Sequence, residues 1–269
     1  MNTEEPPPTS HPEPGKEPAP ASEQLPRMSL MARLLNVFAV PSEVFADVKA
    51  APNSLANWLV PAVLSALVGA LAAIIILSQP AIQQQLREAQ AKAMDQQVKA
   101  GKITQEQADQ FANVMEKFMG PTMLKLLGSA GAVVVSFVHV FWWGFVLWLM
   151  SRWPLRVQIP FQKALEVAGL GMMINILGAI VGMLLIVNLG RMGATPSLAL
   201  VINDFDATRK SHLFMGAANV FYFWLIGVMA LGLSRLAGVP FLRAAWVIFT
   251  YWILQETFFI LAGLGQFAL

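Results

Sequence analysis

The 269-residue sequence contains no cysteine. Disulfides, thiolate metal sites and cysteine nucleophiles are therefore excluded, while the redox compartment stays open. Charge is the second shortage: 13% of the residues are Asp, Glu, Lys or Arg, about half the roughly 25% of soluble domains. The 18 basic and 16 acidic residues nearly cancel. The basic ones are scattered between apolar runs, so the chain carries no nucleic-acid footprint. Histidine is scarce too, and His11, His139 and His212 lie too far apart to form a metal-ligand pair on one helix. The first 26 residues hold no apolar core of the kind a secretion signal needs, so the first long apolar run is expected to stay as an uncleaved anchor.

What fills the space is apolar. Hydrophobic residues make up 56% of the chain, with a mean hydropathy of +0.57. Five runs reach the roughly 20 residues needed to cross a bilayer: about 58–77, 126–150, 165–189, 213–233 and 244–267. The expected fold class is all-α, a polytopic membrane protein with five transmembrane helices, preceded by a disordered tail and short amphipathic helices. Residues 1–28 form the proline-rich tail, too polar to bury a core, and 29–269 the membrane domain.

Before the first span, Leu30, Met31, Leu34, Leu35 and Phe38 fall on one face of a short helix. Pro41 opens a second, with Val44, Phe45 and Val48 on its apolar side. An interfacial position would send Arg33 and Lys49 to the headgroups; the alternative is packing on the protein's own loops. Small residues at four-residue spacing, Ala62, Ala66 and Ala70, and beside them Ser65, Gly69 and Ala73, mark a packed face on the first span. Residues 81–119 read as a helical hairpin outside the membrane core, broken near Gly101 and restarted by a Thr104–Gln107 capping box. Its glutamines, Gln83 to Gln85 among them, read as a solvated face.

Few features suggest chemistry. Gly169-Leu-Gly171 lacks the third glycine of a dinucleotide turn, and Gly178 and Gly182 form a G-x-x-x-G packing signal in the third run. Asp204 and Asp206 flank Phe205 in a loop and lack further ligands for a divalent ion. Glu166 reads as a membrane-edge charge. The candidate site is an intramembrane polar cluster of His139, Asn175 and Glu256, each roughly 11–13 residues inside its run and so at similar depth. If those helices adjoin, Glu256 could be hydrogen-bonded by His139 or Asn175. No catalytic, cofactor or metal residue is assigned.

Orientation rests on Lys and Arg. Nine fall on each side of a five-span chain, but SRWPLRVQIPFQK and SRLAGVPFLR carry five basic residues in 23 positions. Short loops weigh most, so the amino terminus is expected in the cytoplasm.

With the spans in place, the chain resembles the Yip-one (Ypt-interacting protein) family, in particular its bacterial branch. The resemblance runs from about Leu34 to the end. It is carried by LLNVFAVPSEVFADVKAAPNSLANWLVPAVL, by PFQKALEVAGLGMMINIL and by NVFYFWLIGVMALGLSRLAGVPFLRA. It implies five-helix integral proteins with a cytoplasmic amino-terminal region. Asn219 stands where relatives often have aspartate, and the 81–119 hairpin is an insertion. The resulting expectation is a non-enzymatic protein of the bacterial inner membrane. It would act through the lipid bilayer, protein partners or a second copy of itself, without nucleic acid. The competing expectation is a small transporter or channel using Glu256.

Overall fold

The computed structural model describes residues 27–263 apart from 119, 204 and 207. Residues 1–26 of the expected 1–28 tail, Asp204 and the end of the closing run lie outside the described residues. Among the described residues ten α-helices follow in order: α1 Leu30–Asn36, α2 Pro41–Ala50, α3 Ala56–Leu77, α4 Pro80–Lys99, α5 Gln105–Phe118, α6 Pro121–Arg152, α7 Phe161–Leu189, α8 Lys210–Ala217, α9 Val220–Ala237 and α10 Phe241–Leu261. A 3-10 turn, Leu198–Val201, precedes α8. The fold is all-α, with no β-strand among the described residues. Five helices, α3, α6, α7, α9 and α10, are long and apolar enough to cross a membrane.

The helix α7 is central. Every residue from Lys163 to Met172 is buried, as expected of a helix surrounded on all sides. It packs on α3, α6 and α9, and α10 packs chiefly on α9. The outer faces carry exposed Leu67, Leu71, Val134, Val138, Leu254 and Phe258. So much exposed apolar side chain suits lipid, not water.

Close approach of α3 to α6 uses the small stripe. Ala62 and Ala66 are buried, Ser136 Oγ lies 3.3 Å from Ser65 Oγ, and Ser129 Oγ donates to the Ala70 carbonyl at 3.3 Å. The α3–α7 crossing is tighter. A Cβ on Gly169 would lie 2.3 Å from Trp58 Cα and 2.8 Å from the Asn57 carbonyl oxygen, so only glycine lets these backbones meet. Gly232 of α9 makes room for a side chain instead: a Cβ there would lie 2.2 Å from Val167 Cγ1 of α7.

The fourth run differs from the expected 213–233. It is broken into α8 and α9, because the Asn219 side chain accepts from Phe221 N at 2.9 Å and caps a new helix there. Asn219 also forms an isolated antiparallel bridge with Ser197, tying the break to the α7–α8 loop.

The hairpin is α4 and α5. The box at its second helix is reciprocal: Gln107 N donates to Thr104 Oγ1 at 3.2 Å, and Thr104 N donates to Gln107 Oε1 at 2.9 Å. Its glutamine face is not merely solvated. Gln85 donates to the Gly190 carbonyl at 2.6 Å and accepts from Met192 N at 3.1 Å, while Gln83 donates to the Leu77 carbonyl at 2.7 Å. Lys92 pairs with Asp206 at 2.6 Å. Lys92 and Thr208 hold the Asp206 carboxyl below the usual carboxylate range. A depressed carboxyl contributes stability above its unfolded value of 3.8 and loses it only as pH falls further. The latch between hairpin and loop therefore persists at neutral pH.

Candidate functional site

The α2–α3 corner sits on the first turn of α7, and ionisable side chains hold it there. Lys163 Nζ donates to the carbonyls of Val48 at 2.8 Å, Ala51 at 2.9 Å and Pro52 at 3.3 Å. These belong to the carboxyl end of α2 and the turn after it, where unpaired carbonyls attract a cation. Lys163 also pairs with Glu166 at 3.0 Å, one helical turn on. Glu166 in turn faces the start of α3, where unpaired amides favour an anion. It accepts from Ser54 N at 3.3 Å and from the Asn57 side-chain amide. Asn57 Oδ1 accepts from Arg33 Nη1 at 3.1 Å, and Arg33 Nε donates to Asp47 at 2.8 Å.

The result is a chain of contacts, Asp47–Arg33–Asn57–Glu166–Lys163, drawn from α1, α2, α3 and α7. Its two cations balance its two carboxylates. Arg33 is 7% exposed, Asn57 0%, Lys163 8% and Glu166 1%. Charges this deep are tolerable only when paired and hydrogen-bonded, and each ionisable member here has such a partner.

Two expectations are corrected at this point. Glu166 is not simply an edge charge: it is buried and paired with Lys163, Ser54 and Asn57. Arg33 does not reach for headgroups; it turns inward towards Asp47 and Asn57, which leaves Met31 and Leu35 of α1 exposed. Lys49 is exposed but bonded, its Nζ donating to the Arg235 carbonyl at 2.9 Å. The apolar side of α2, Val44, Phe45 and Val48, is fully buried, with α9 its main neighbour. Packing on the protein's own body thus describes α2.

The three residues expected at mid-membrane differ in their surroundings. His139 Nε2 accepts from Trp143 Nε1 at 3.1 Å, within α6. Asn175 is half-buried on α7. Glu256 is 5% exposed, and its Oε2 is buried with no hydrogen-bond partner among the described residues. No hydrogen bond among those residues joins the three. The α6 and α10 helices do meet, through Trp142 Nε1 donating to Gln255 Oε1 at 3.2 Å and an edge-on contact of Trp143 with Tyr251. Tyr251 also donates to Gln255. Gly178 approaches Phe221 of α9, whose Cβ would be 2.9 Å from an added methyl, while a methyl on Gly182 would lie 3.9 Å from Pro196 Cδ, an ordinary van der Waals contact. Among the described residues no three His, Cys, Asp or Glu gather as a metal site.

The buried corner was missed in the sequence, although a signal existed. Lys163 and Glu166 stand three apart at the head of an apolar run, on one helix face. They also lie inside the PFQKALEVAGLG stretch. The family model of the Yip1 domain matches residues 35–264. The chain belongs to the Yip1 domain family. No curated protein and no solved structure matches it. The Yip1 domain thus takes in all five candidate spans, and it includes Asp47, Asn57, Lys163 and Glu166; Arg33 lies just ahead of it. A membrane protein of the Yip family, with its helices in a lipid bilayer, accounts for the apolar outer faces.

Proposed function

We propose that this Yip1-domain protein is non-enzymatic and works in membrane organisation or a trafficking-like process. It would do so by holding a fixed amino-terminal face towards lipids, a protein partner or a second copy of the chain. The observation that carries this reading is the buried ionic corner, which seats α1 and α2 on the spans. Two short helices with exposed Met31 and Leu35 would gain little from rigid attachment unless their outer face had to be presented in one geometry.

The proposed setting is a bacterial inner membrane with the amino end in the cytoplasm. Exposed Arg152, Arg156, Arg235 and Arg243 flank the two short connections on that side and support it through the positive-inside preference. The cysteine-free chain makes the test direct. A cysteine at Asn53 should react with a membrane-impermeant maleimide only in opened cells, and one at Lys102 in intact spheroplasts. The reverse pattern would invert the topology.

A second reading is favoured by one observation, the buried Oε2 of Glu256, which has no hydrogen-bond partner among the described residues. An intramembrane carboxyl of this kind marks proton or ion paths in transporters. Reconstituted protein should conduct no proton or cation flux above empty vesicles, in wild type and in Glu256→Gln alike. Gradient-driven flux that disappears in Glu256→Gln would replace the scaffold reading with a transporter. His139 and Asn175 would then be the next residues to vary.

A further inference from the structure

A cleft of about 380 Å³ lies between α2 and the end of α9, lined by Ala46, Lys49, Ser234, Arg235, Gly238 and Val239. Its two cations are held in place by neutral oxygens. Lys49 Nζ donates to the Arg235 carbonyl at 2.9 Å, and Arg235 Nε donates to Ser42 Oγ at 2.8 Å. Among the described residues neither pairs with a carboxylate; the ion pairs there are made by other side chains. Gly238 ends α9 in the left-handed region, at φ +67°, and a Cβ there would lie 3.9 Å from the Lys49 ammonium. Bare backbone therefore leaves the approach to that charge open.

An ammonium has three donors and a guanidinium five, so both retain N–H groups beyond those already used. A compact anion with several acceptor oxygens matches two fixed cations whose charge is not neutralised locally. The position narrows the source. The span α9 ends at Ala237, which puts the cleft where headgroups begin, and exposed Phe241 and Leu242 follow at the start of α10, where acyl chains would pass.

We propose that the Lys49–Arg235 cleft binds the phosphate group of an anionic bilayer lipid. This rests on the lipid-facing reading above and gives it a site and a ligand class. The competing role is structural: Lys49 caps the carbonyls of α9. A cap needs a donor, whereas a phosphate site needs the charge. Lys49→Gln keeps the first and removes the second.

The test uses the full chain in neutral detergent, with binding of phosphatidylglycerol and phosphatidylcholine read by native mass spectrometry. Each basic charge at a membrane surface contributes about a fivefold gain in affinity for anionic lipid. Lys49→Gln should therefore weaken phosphatidylglycerol binding about fivefold with the thermal midpoint unchanged, and Lys49→Gln with Arg235→Gln about 25-fold. Phosphatidylcholine binding should not move. Arg152→Gln with Arg156→Gln, on the same side but outside the cleft, should cost less than about fivefold, because remote charges act only through the screened surface field. Inorganic phosphate at the same concentration should not displace the lipid.

Equal losses in the two double variants, no loss in either, or loss of binding only together with loss of folding would each overturn the site. Displacement by inorganic phosphate would make it a free-phosphate site instead and overturn the lipid assignment. A wild-type preference for phosphatidylglycerol that survives the cleft variants removes the site and leaves the lipid-facing reading standing. No preference in the wild type removes both.

Discussion

Glu166→Ala is expected to lower the stability of the folded protein by about 3–5 kcal/mol, the range for removing one partner of a buried ion pair. The carboxylate accepts from Lys163, Ser54 and Asn57. Truncation leaves the Lys163 ammonium buried among carbonyls without its counter-charge, and it leaves the Asn57 amide without its acceptor. Against a total stability of about 5–15 kcal/mol, that is a large share. Thermal aggregation in detergent should show an early transition for Glu166→Ala and a smaller shift for Glu166→Gln, which keeps the shape and an acceptor oxygen. A midpoint for Glu166→Ala equal to wild type would mean that the corner is solvated and the network idle.

Gly169→Ala acts on the same corner through the backbone. Two effects oppose each other. Alanine in place of glycine favours a helix interior by about 1 kcal/mol. The added methyl would sit 2.3 Å from Trp58 Cα and 2.5 Å from its Cβ, and main chain cannot swing aside as a side-chain tip can. Overpacking typically costs about 1–3 kcal/mol, occasionally more, and here α3 must move off α7 as a body. A clash against main chain belongs at the upper end of that range, so it should win, with a net loss of up to about 2 kcal/mol. Because Asn57 precedes Trp58, the shift should also pull Asn57 away from Glu166. The two variants should then be less than additive, since the second breaks contacts the first has already lost. A neutral or stabilising Gly169→Ala, measured by the same thermal transition, would contradict the crossing geometry.

Both effects centre on a part of the molecule that the sequence displayed only dimly. Length and hydropathy suffice to find the five long helices, because a bilayer demands about 20 apolar residues and little else. The capping box at Thr104 was equally legible, being local. The split of the fourth run was not, since a capping asparagine inside an apolar stretch leaves the hydropathy almost unchanged. Arg33 is a clearer lesson. On helical periodicity it belongs to the polar side of α1, and only the positions of Asp47 and Asn57, 14 and 24 residues away, turn that side inward. Likewise Glu166 lies at the edge of its run in sequence, but α3 folds across it. For His139, Asn175 and Glu256, position along each run suggested a shared depth, but rotation about each helix axis was not readable. His139 turns to Trp143 of its own helix, and the contact of α6 with α10 falls to Trp142, Trp143, Tyr251 and Gln255.

The central claim is that the ionic corner fixes α1 and α2 to the membrane bundle. Hydrogen–deuterium exchange of the protein in nanodiscs, wild type against Glu166→Gln, tests it most directly. The amides of residues 30–50 should be protected in the wild type and exchange much faster in the variant, with those of α7 beyond Met172 unchanged. Equal protection of residues 30–50 in both proteins would contradict the account.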